Sequence, residues 1–291
     1  MTTDIAGTCR LADAPNTAVY RVMLAPPQPP RVIVKLYTGR ARWKAIKEYQ
    51  LFAALTGCSR VNVPQVLACG PVPGLDIIAL IMRDLGSATL QKVTGSGTCS
   101  RGEALGLLGR LLRSFHQLPY PPPGPGAPLA VLDFAAQVTA LRQHLPDELR
   151  TATQASLEQA IDLFQTRPPV WCHGDLHSDN VLLCGQEGDR VPHLIDFEQS
   201  TIAAAEYDLA QTVVTSDAFG HDDQAQLLAA YGTGLSEDLL ASLITFHTLR
   251  GWRWAALHEN RDVALWQARL RLVLDQYAGA TQTRPDTKGH S

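Results

Sequence analysis

At 291 residues the chain is long enough for one large domain or two lobes, since single hydrophobic cores stop growing near about 250–300 residues. It is 45% hydrophobic and 18% charged with a formal net charge of −3, which excludes the basic footprint of a nucleic-acid or anionic-membrane binder. No apolar run approaches the roughly 20 residues that span a bilayer, and MTTDIAGTCR lacks the basic start and apolar stretch of a signal peptide, so a cytoplasmic protein is expected.

The first half reads as a hairpin followed by a helix. AVYRVML (18–24) and RVIVKLY (31–37) are rich in β-branched and apolar residues, and APPQPP between them cannot continue a ladder. From Ala41 the run ARWKAIKEYQLFAAL sets Ala45, Tyr49, Phe52 and Ala53 at helical spacing, with Gly57 just beyond its end. Turn material at GPVPG leads into a further strand, DIIALIMRD (76–84).

Past residue 90 the texture turns helical. Ser100 and Glu103 have capping-box spacing, and an apolar stripe of Leu105, Leu108, Leu112 and Phe115 follows. PYPPPGPGAP ends that helix in a loop. Helical stretches are expected at 132–144 and 155–164, then strands around a turn at GQEGDR, then three helices between Asp222 and Tyr277. The six cysteines form no CxxC pair, so neither a zinc knuckle nor a disulfide framework is indicated. Trp171, Trp252, Trp254 and Trp266 read as core residues, as does His116.

The chemistry concentrates in HGDLHSDN (173–180) and LIDFE (194–198). Asp175, Asn180 and Asp196 come in the order that phosphoryl transfer requires. One carboxylate orients and deprotonates an attacking hydroxyl, while an amide oxygen and a second carboxylate hold Mg2+ on a triphosphate. All three offer hard oxygen atoms. Such a site also needs a cation on the phosphates, and the chain supplies Lys35 inside the apolar strand VIVKLY with Glu48 in the helix that follows. Lysine is scarce here, confined to Lys35, Lys44, Lys47, Lys92 and Lys288, so one within an apolar strand is informative. His173 and His177 have a zinc-like spacing, but Gly174 breaks the helix and no HExxH glutamate is present. Asp179 and Glu198 read equally as neighbours of a metal-bound water and as exposed polar residues.

The spacing of HGDLHSDN resembles the catalytic loop of protein kinases, with Asp196–Phe197–Glu198 at their D-F-G position. More closely, HGDLHSDN, IDFE with YDLA (207–210) and LLRSFHQLP (111–119) resemble the aminoglycoside phosphotransferase and choline kinase superfamily, over most of residues 16–255. The resemblance implies an α+β, bilobal protein-kinase-like fold. It would place a nucleotide-binding lobe of antiparallel strands and one helix at 1–84, and a mainly helical catalytic and substrate-binding lobe at 85–291. It assigns Asp175 as catalytic base, Asn180 and Asp196 as Mg2+ ligands, Lys35 to the α and β phosphates with Glu48 as its partner, and Asp208 as the brace of the catalytic loop. MRDLG (82–86), which includes Met82 and Asp84, becomes the hinge whose backbone reads adenine. Where the family has a glycine-containing phosphate loop, this chain has RLADAPNTAVYRV, and only Asn16 falls where the family often carries a polar residue.

The expected activity is transfer of the γ-phosphate of ATP, with GTP as an alternative, to a hydroxyl of a small molecule such as an antibiotic or other natural product. A primary metabolite, a peptide Ser or Thr, and a non-catalytic kinase-like binding protein stand as alternatives. Five arginines between Arg250 and Arg271 weigh against a polycationic aminoglycoside.

Overall fold

The computed structural model describes residues 5–14, 16–25, 31–119, 129–186, 188–257 and 262–278. In chain order it runs through strands β1 (Ile5–Ala14), β2 (Thr17–Leu24) and β3 (Arg31–Thr38), helix α1 (Arg42–Leu55), strands β4 (Val66–Pro71) and β5 (Ile77–Arg83), and helices α2 (Leu90–Gly95) and α3 (Arg101–His116). Next come α4 (Phe134–Arg142), α5 (Asp147–Gln165), β6 (Val170–Cys172), β7 (Val181–Cys184), β8 (Val191–Leu194) and β9 (Thr201–Ala203). The described chain closes with α6 (Ala205–Thr215), α7 (His221–Tyr231), α8 (Glu237–Leu257), α9 (Val263–Val273) and one π-helical stretch, Leu274–Ala278. Among the described residues no helix is long and apolar enough to cross a membrane. The expected 26–30 linker, most of the proline-rich loop (120–128), and Glu259 and Arg261 of the arginine-rich segment lie outside the described residues.

Two compact units emerge, Met1–Ala104 with Gln117–Ala130 and His177–Ser200, and Leu105–His116 with Val131–Leu176 and Thr201–Ser291. The first is built on an antiparallel five-stranded sheet in the order β1-β2-β3-β5-β4, with α1 packed against β3, β4 and β5 and the β7–β8 hairpin added from the later segment. The second is mostly helical, with α8 packed on α5, α6 and α9 and a short β6–β9 pair. The α+β class expected from sequence is thus the observed one.

Four strands escaped the sequence reading, β1 and β4 of the large sheet and the three-residue pair β6 and β9. β1 carries few β-branched residues and is largely exposed, because a sheet-edge strand needs only its ladder to β2; bulges interrupt that ladder at Ile5/Gly7 and Arg10/Ala12. β4 occupies the opposite edge, where Gly70 and Pro71, read as turn residues, still pair with Ala79 and Ile78.

On α1 the expected stripe is half right. Ala45 and Phe52 are buried, but Tyr49 is 42% exposed, and the inward face is Ala45, Glu48, Leu51, Phe52 and Leu55. A buried glutamate breaks the apolar period, so the pattern pointed to the wrong side. α6 was not read as a helix because Glu206 to Ala210 and Thr212 to Val214 are all buried, which leaves no amphipathic period. Trp254, expected in the core, is 52% exposed, whereas Trp171 is buried.

The capping box on α3 is present: Glu103 N–H donates to Ser100 Oγ (3.2 Å) and Ser100 N–H to Glu103 Oε2 (2.8 Å). Its stripe of Leu105, Leu108, Leu112 and Phe115 is buried. Gly109 on the same helix lets α7 approach, for a Cβ there would stand 2.3 Å from the Leu227 carbonyl oxygen and 3.0 Å from Tyr231 N. Gly109→Ala is expected to destabilise the fold by about 1–3 kcal/mol despite its better helix propensity. Urea unfolding measures this, and an unchanged midpoint would contradict the close packing of α3 on α7.

Candidate active site

In the first unit, β3 sets Lys35 opposite Val19 of β2 and Leu80 of β5, in the middle of the sheet. Directly after β3 the chain turns through Gly39–Ala41 into α1, which carries Glu48 back over the same strand. Lys35 Nζ donates to Glu48 Oε2 at 2.8 Å and to Asp196 Oδ1 at 2.9 Å, so a cation joins carboxylates 13 and 161 residues away. Burial opposes its charge, yet Asp196 and Glu48 outweigh that and hold Lys35 well above the ordinary lysine pKa. Burial pushes Glu48 upward against the pull of Lys35.

Glu48 also organises the segment that bears Asp196. Its Oε1 accepts the Phe197 N–H at 2.8 Å, and the Phe197 ring packs edge-on against Phe52 of α1 at 5.2 Å. Asp196 adopts left-handed backbone geometry (φ 66°), rare for a residue with a Cβ and sustained here by the bonds on either side. α1 adds two further tethers, Lys47 Nζ to Glu198 O at 2.9 Å and Lys44 Nζ to Glu198 Oε1 at 3.1 Å. Glu198, left open in the sequence, is therefore an anchor of this segment. Tyr37, on the same face of β3 as Lys35, donates its phenol to Glu48 Oε2, and burial together with the Glu48 charge raises its pKa.

A cavity of about 470 Å³ lies beside this triad. Val19, Ile33, Met82 and Leu85 give it apolar walls, Lys35 and Asp196 line it, and Arg21, Asp84 and Gly86 close one side. Asp84 does not offer its side chain to the cavity: Arg21 Nε (2.8 Å), Arg21 Nη2 (3.2 Å) and Gly86 N–H (2.9 Å) all donate to its carboxylate. Asn16 takes no part in the lining. It occupies the β1–β2 turn with φ 66°, and its carbonyl accepts Thr38 N–H at 2.9 Å, while Leu11 and Ala12 of β1 face the cavity instead. Asn180 is buried, with its amide nitrogen 3.2 Å from His177 Nε2, and burial lowers the His177 pKa. Asp179 accepts from Thr89 Oγ1 at 3.4 Å and lines the cavity.

In the second unit, Asp175 follows β6 in a loop tied down on both sides. Asp208 of α6 accepts the N–H of His173 (Oδ2, 2.6 Å) and of Gly174 (Oδ1, 2.8 Å), and Thr212 Oγ1 donates to Leu176 O at 2.7 Å. Gly174 takes φ 79°, which favours glycine. His116 is more than core packing: its Nε2 lies 3.1 Å from Asp208 Oδ2 and its Nδ1 3.0 Å from the Tyr231 hydroxyl. Burial works against the Asp208 charge, but His116 and the Gly174 N–H hold its pKa below the ordinary carboxylate value. Neither His173 nor His177 lies on a helix, which removes the geometry of a zinc pair. Of the arginines weighed against a polycationic aminoglycoside, Arg250 donates to Tyr207 Oη at 2.8 Å and Arg269 to Asp217 at 2.9 Å. Both are spent within the unit.

The sequence reading missed Arg21, Tyr37, Lys44 and Lys47. The scarcity of lysine was the available signal for the last two, since they sit four residues and one residue before Glu48. Tyr37 and Arg21 carried no such signal, because both also suit an ordinary strand.

The sequence profile of the phosphotransferase enzyme family matches residues 10–258. No curated protein matches the sequence. Solved structures share the kinase-like fold. Wild-type aminoglycoside 2'-phosphotransferase-IIIa in its GDP complex superposes with a TM-score of 0.70 at 16% identity, covering 96% of this chain and 94% of that one. A microcompartment-associated aminopropanol kinase gives 0.64 at 17% identity (97% and 94% covered). A choline/ethanolamine kinase family protein from Mesorhizobium loti gives 0.62 at 16% (97% and 90%).

Two outcomes test this geometry. Tyr37→Phe removes a hydrogen bond to a buried carboxylate and is expected to cost about 1.5–3 kcal/mol in chemical denaturation; no loss would mean that the phenol does not hold Glu48. Burial lowers Lys47 to about 8 against the opposing pull of Glu198 and Glu48. The unfolded chain keeps that proton to higher pH, so the folded state gains on it as pH rises through this window and loses the gain on return toward 8. Relative to Lys47→Met, wild-type stability is expected to rise between about pH 8 and 10, and a flat difference would contradict the burial of this amine.

Proposed function

This chain belongs to the phosphotransferase enzyme family, and on that premise we propose that it transfers the γ-phosphate of ATP to a hydroxyl group of a small molecule. The observation that carries this reading is the Lys35 bridge between Glu48 and Asp196 beside a cavity with apolar walls. An apolar slot suits a purine, and a cation held next to a carboxylate suits a metal-bound polyphosphate.

Asp196 and Asn180 fit Mg2+ by chemistry: both offer oxygen atoms, and no sulfur ligand accompanies them in the 177–184 and 194–198 segments apart from Cys184, whose thiol donates toward Leu85 O. Mg2+ would neutralise charge on the β and γ phosphates. Lys35 binds the α and β phosphates, and Glu48 keeps its ammonium in place. The hinge backbone at Met82–Gly86 receives the base. Asp175 accepts the proton of the acceptor hydroxyl as its oxygen bonds to the γ-phosphorus and the bond to the β–γ bridging oxygen breaks, releasing ADP. Most of the rate gain comes from positioning and charge neutralisation.

The acceptor is proposed as a hydroxylated natural product, an antibiotic included, or an amino alcohol. Kinases of both kinds share the fold, and kanamycin occupies one of them, the GDP and kanamycin complex of an aminoglycoside phosphotransferase. Arg250 and Arg269 are committed internally, so these two of the five arginines do not weigh against a cationic acceptor.

Incubation with labelled ATP and a panel of aminoglycosides, amino alcohols, sugars and Ser/Thr peptides identifies the acceptor. Asp175→Ala is expected to lower turnover by about 10²–10⁴-fold, Asp196→Ala to abolish it, and Lys35→Ala to weaken it strongly. Equal background ATP turnover in wild type and Asp175→Ala would instead favour a kinase-shaped binding protein, and near-normal turnover in Asp196→Ala would remove the metal assignment.

A further inference from the structure

Among the described residues three acidic residues border the cavity of the first unit, Asp84, Asp179 and Asp196, and only Asp84, whose carboxylate is turned away from the cavity, belongs to the proposed hinge. Its side chain is 1% exposed. An ionised carboxylate offers about four lone-pair positions; three of them accept hydrogen bonds here, and a second guanidinium stands close by as an ion-pair partner. Oδ2 faces Arg21 Nε at 2.8 Å and Arg31 Nε at 3.4 Å, and Oδ1 accepts from Arg21 Nη2 at 3.2 Å and from Gly86 N–H at 2.9 Å. Arg21 Nη2 also donates to Gly86 O at 3.0 Å, so both backbone groups of Gly86 are engaged.

Arg21 reaches this position from β2, where it pairs with Ile33, itself opposite Met82 at the start of the hinge. Its two-pronged bond to Asp84 is the strong, geometrically specific kind. For a base at the hinge, what stays available is backbone, including the Leu85 N–H, which has no hydrogen-bond partner among the described residues. Adenine presents an acceptor, N1, beside a donor, its 6-amino group, and a backbone N–H with a backbone carbonyl complements that pair. Guanine presents two adjacent donors, N1–H and the 2-amino group, for which the two oxygens of a carboxylate are the matching acceptor.

Resting on the nucleotide-dependent function above, we propose that Arg21 determines base specificity: by occupying both oxygens of Asp84 it withholds the only hinge carboxylate from the base, and the pocket therefore selects adenine over guanine nucleotides. Without Arg21, Asp84 is a buried carboxylate left with the Gly86 N–H as its hydrogen-bond donor and Arg31 as a longer ion-pair partner, and it gains by recruiting the two donors of guanine.

Isothermal titration calorimetry with ATP and with GTP, in the absence of any acceptor, tests this on the full chain. Wild type is expected to bind ATP at least about tenfold more tightly than GTP, and Arg21→Ala to shrink that ratio by about tenfold through a gain in GTP affinity. Adding Asp84→Asn to Arg21→Ala should restore the discrimination, because a carboxamide keeps a single acceptor oxygen. A hinge that was merely loosened would weaken both nucleotides by the same factor and would not depend on Asp84. Arg21→Lys preserves the charge without the fork, and it serves if Arg21→Ala does not fold; a partial gain in GTP affinity is expected from it. Equal affinity of wild type for the two nucleotides, or an unchanged ratio in the Arg21 variants, overturns the inference while leaving phosphoryl transfer intact. Binding of neither nucleotide to wild type overturns both.

Discussion

The candidate site of the first unit is organised around one cation, the ammonium of Lys35, held between Glu48 and Asp196. A buried charge is tolerable only when paired and hydrogen-bonded, and a buried ion pair adds little net stability over an apolar replacement. Such a cluster is better understood as a device for specificity. Here it fixes strand β3, helix α1 and the 196–198 segment in one arrangement, with Tyr37, Lys44 and Lys47 supplying additional bonds from β3 and α1. The strained backbone of Asp196 is sustained by the same contacts.

The second unit applies similar logic to a loop. Asp208 is a buried carboxylate whose oxygens are taken up by two backbone N–H groups and an imidazole, and Thr212 of the same helix adds a tether one residue past Asp175. Asp175 thus sits between two immobilised backbone neighbours, and the cost of desolvating Asp208 is offset by charge-assisted hydrogen bonds. In both units a buried acid positions the backbone beside a residue proposed for chemistry, and the acid itself stays away from the reaction.

Asp84 is a third carboxylate of this kind, with Arg21 as its partner. A hinge read by backbone groups requires those groups to be held still, and short loops seldom achieve that alone. The ion pair ties down the 84–86 segment and, under the proposed base selectivity, also decides which side-chain oxygens a base can meet. In the proposed nucleotide site the role of Asp84 is therefore indirect: the residue shapes the 84–86 segment through its side chain and leaves recognition to the main chain.

The sequence by itself determined the family-bearing motifs, the Lys35 to Glu48 relation, the capping box of Ser100 and Glu103, and the alternation of a strand-rich first part with a helical remainder. Each of these is legible from spacing along the chain, within one element or between neighbouring ones. Tertiary structure alone decided what depends on distant segments meeting. β1 and β4 are strands only because neighbours offer them a ladder, α6 is a helix buried on nearly every side, and α1 turns a glutamate inward because a lysine and a tyrosine on β3 await it. Arg21 looks like any strand arginine until the hinge 63 residues later is folded against it. A charge finds its partner across space, and no periodicity along the chain records that pairing.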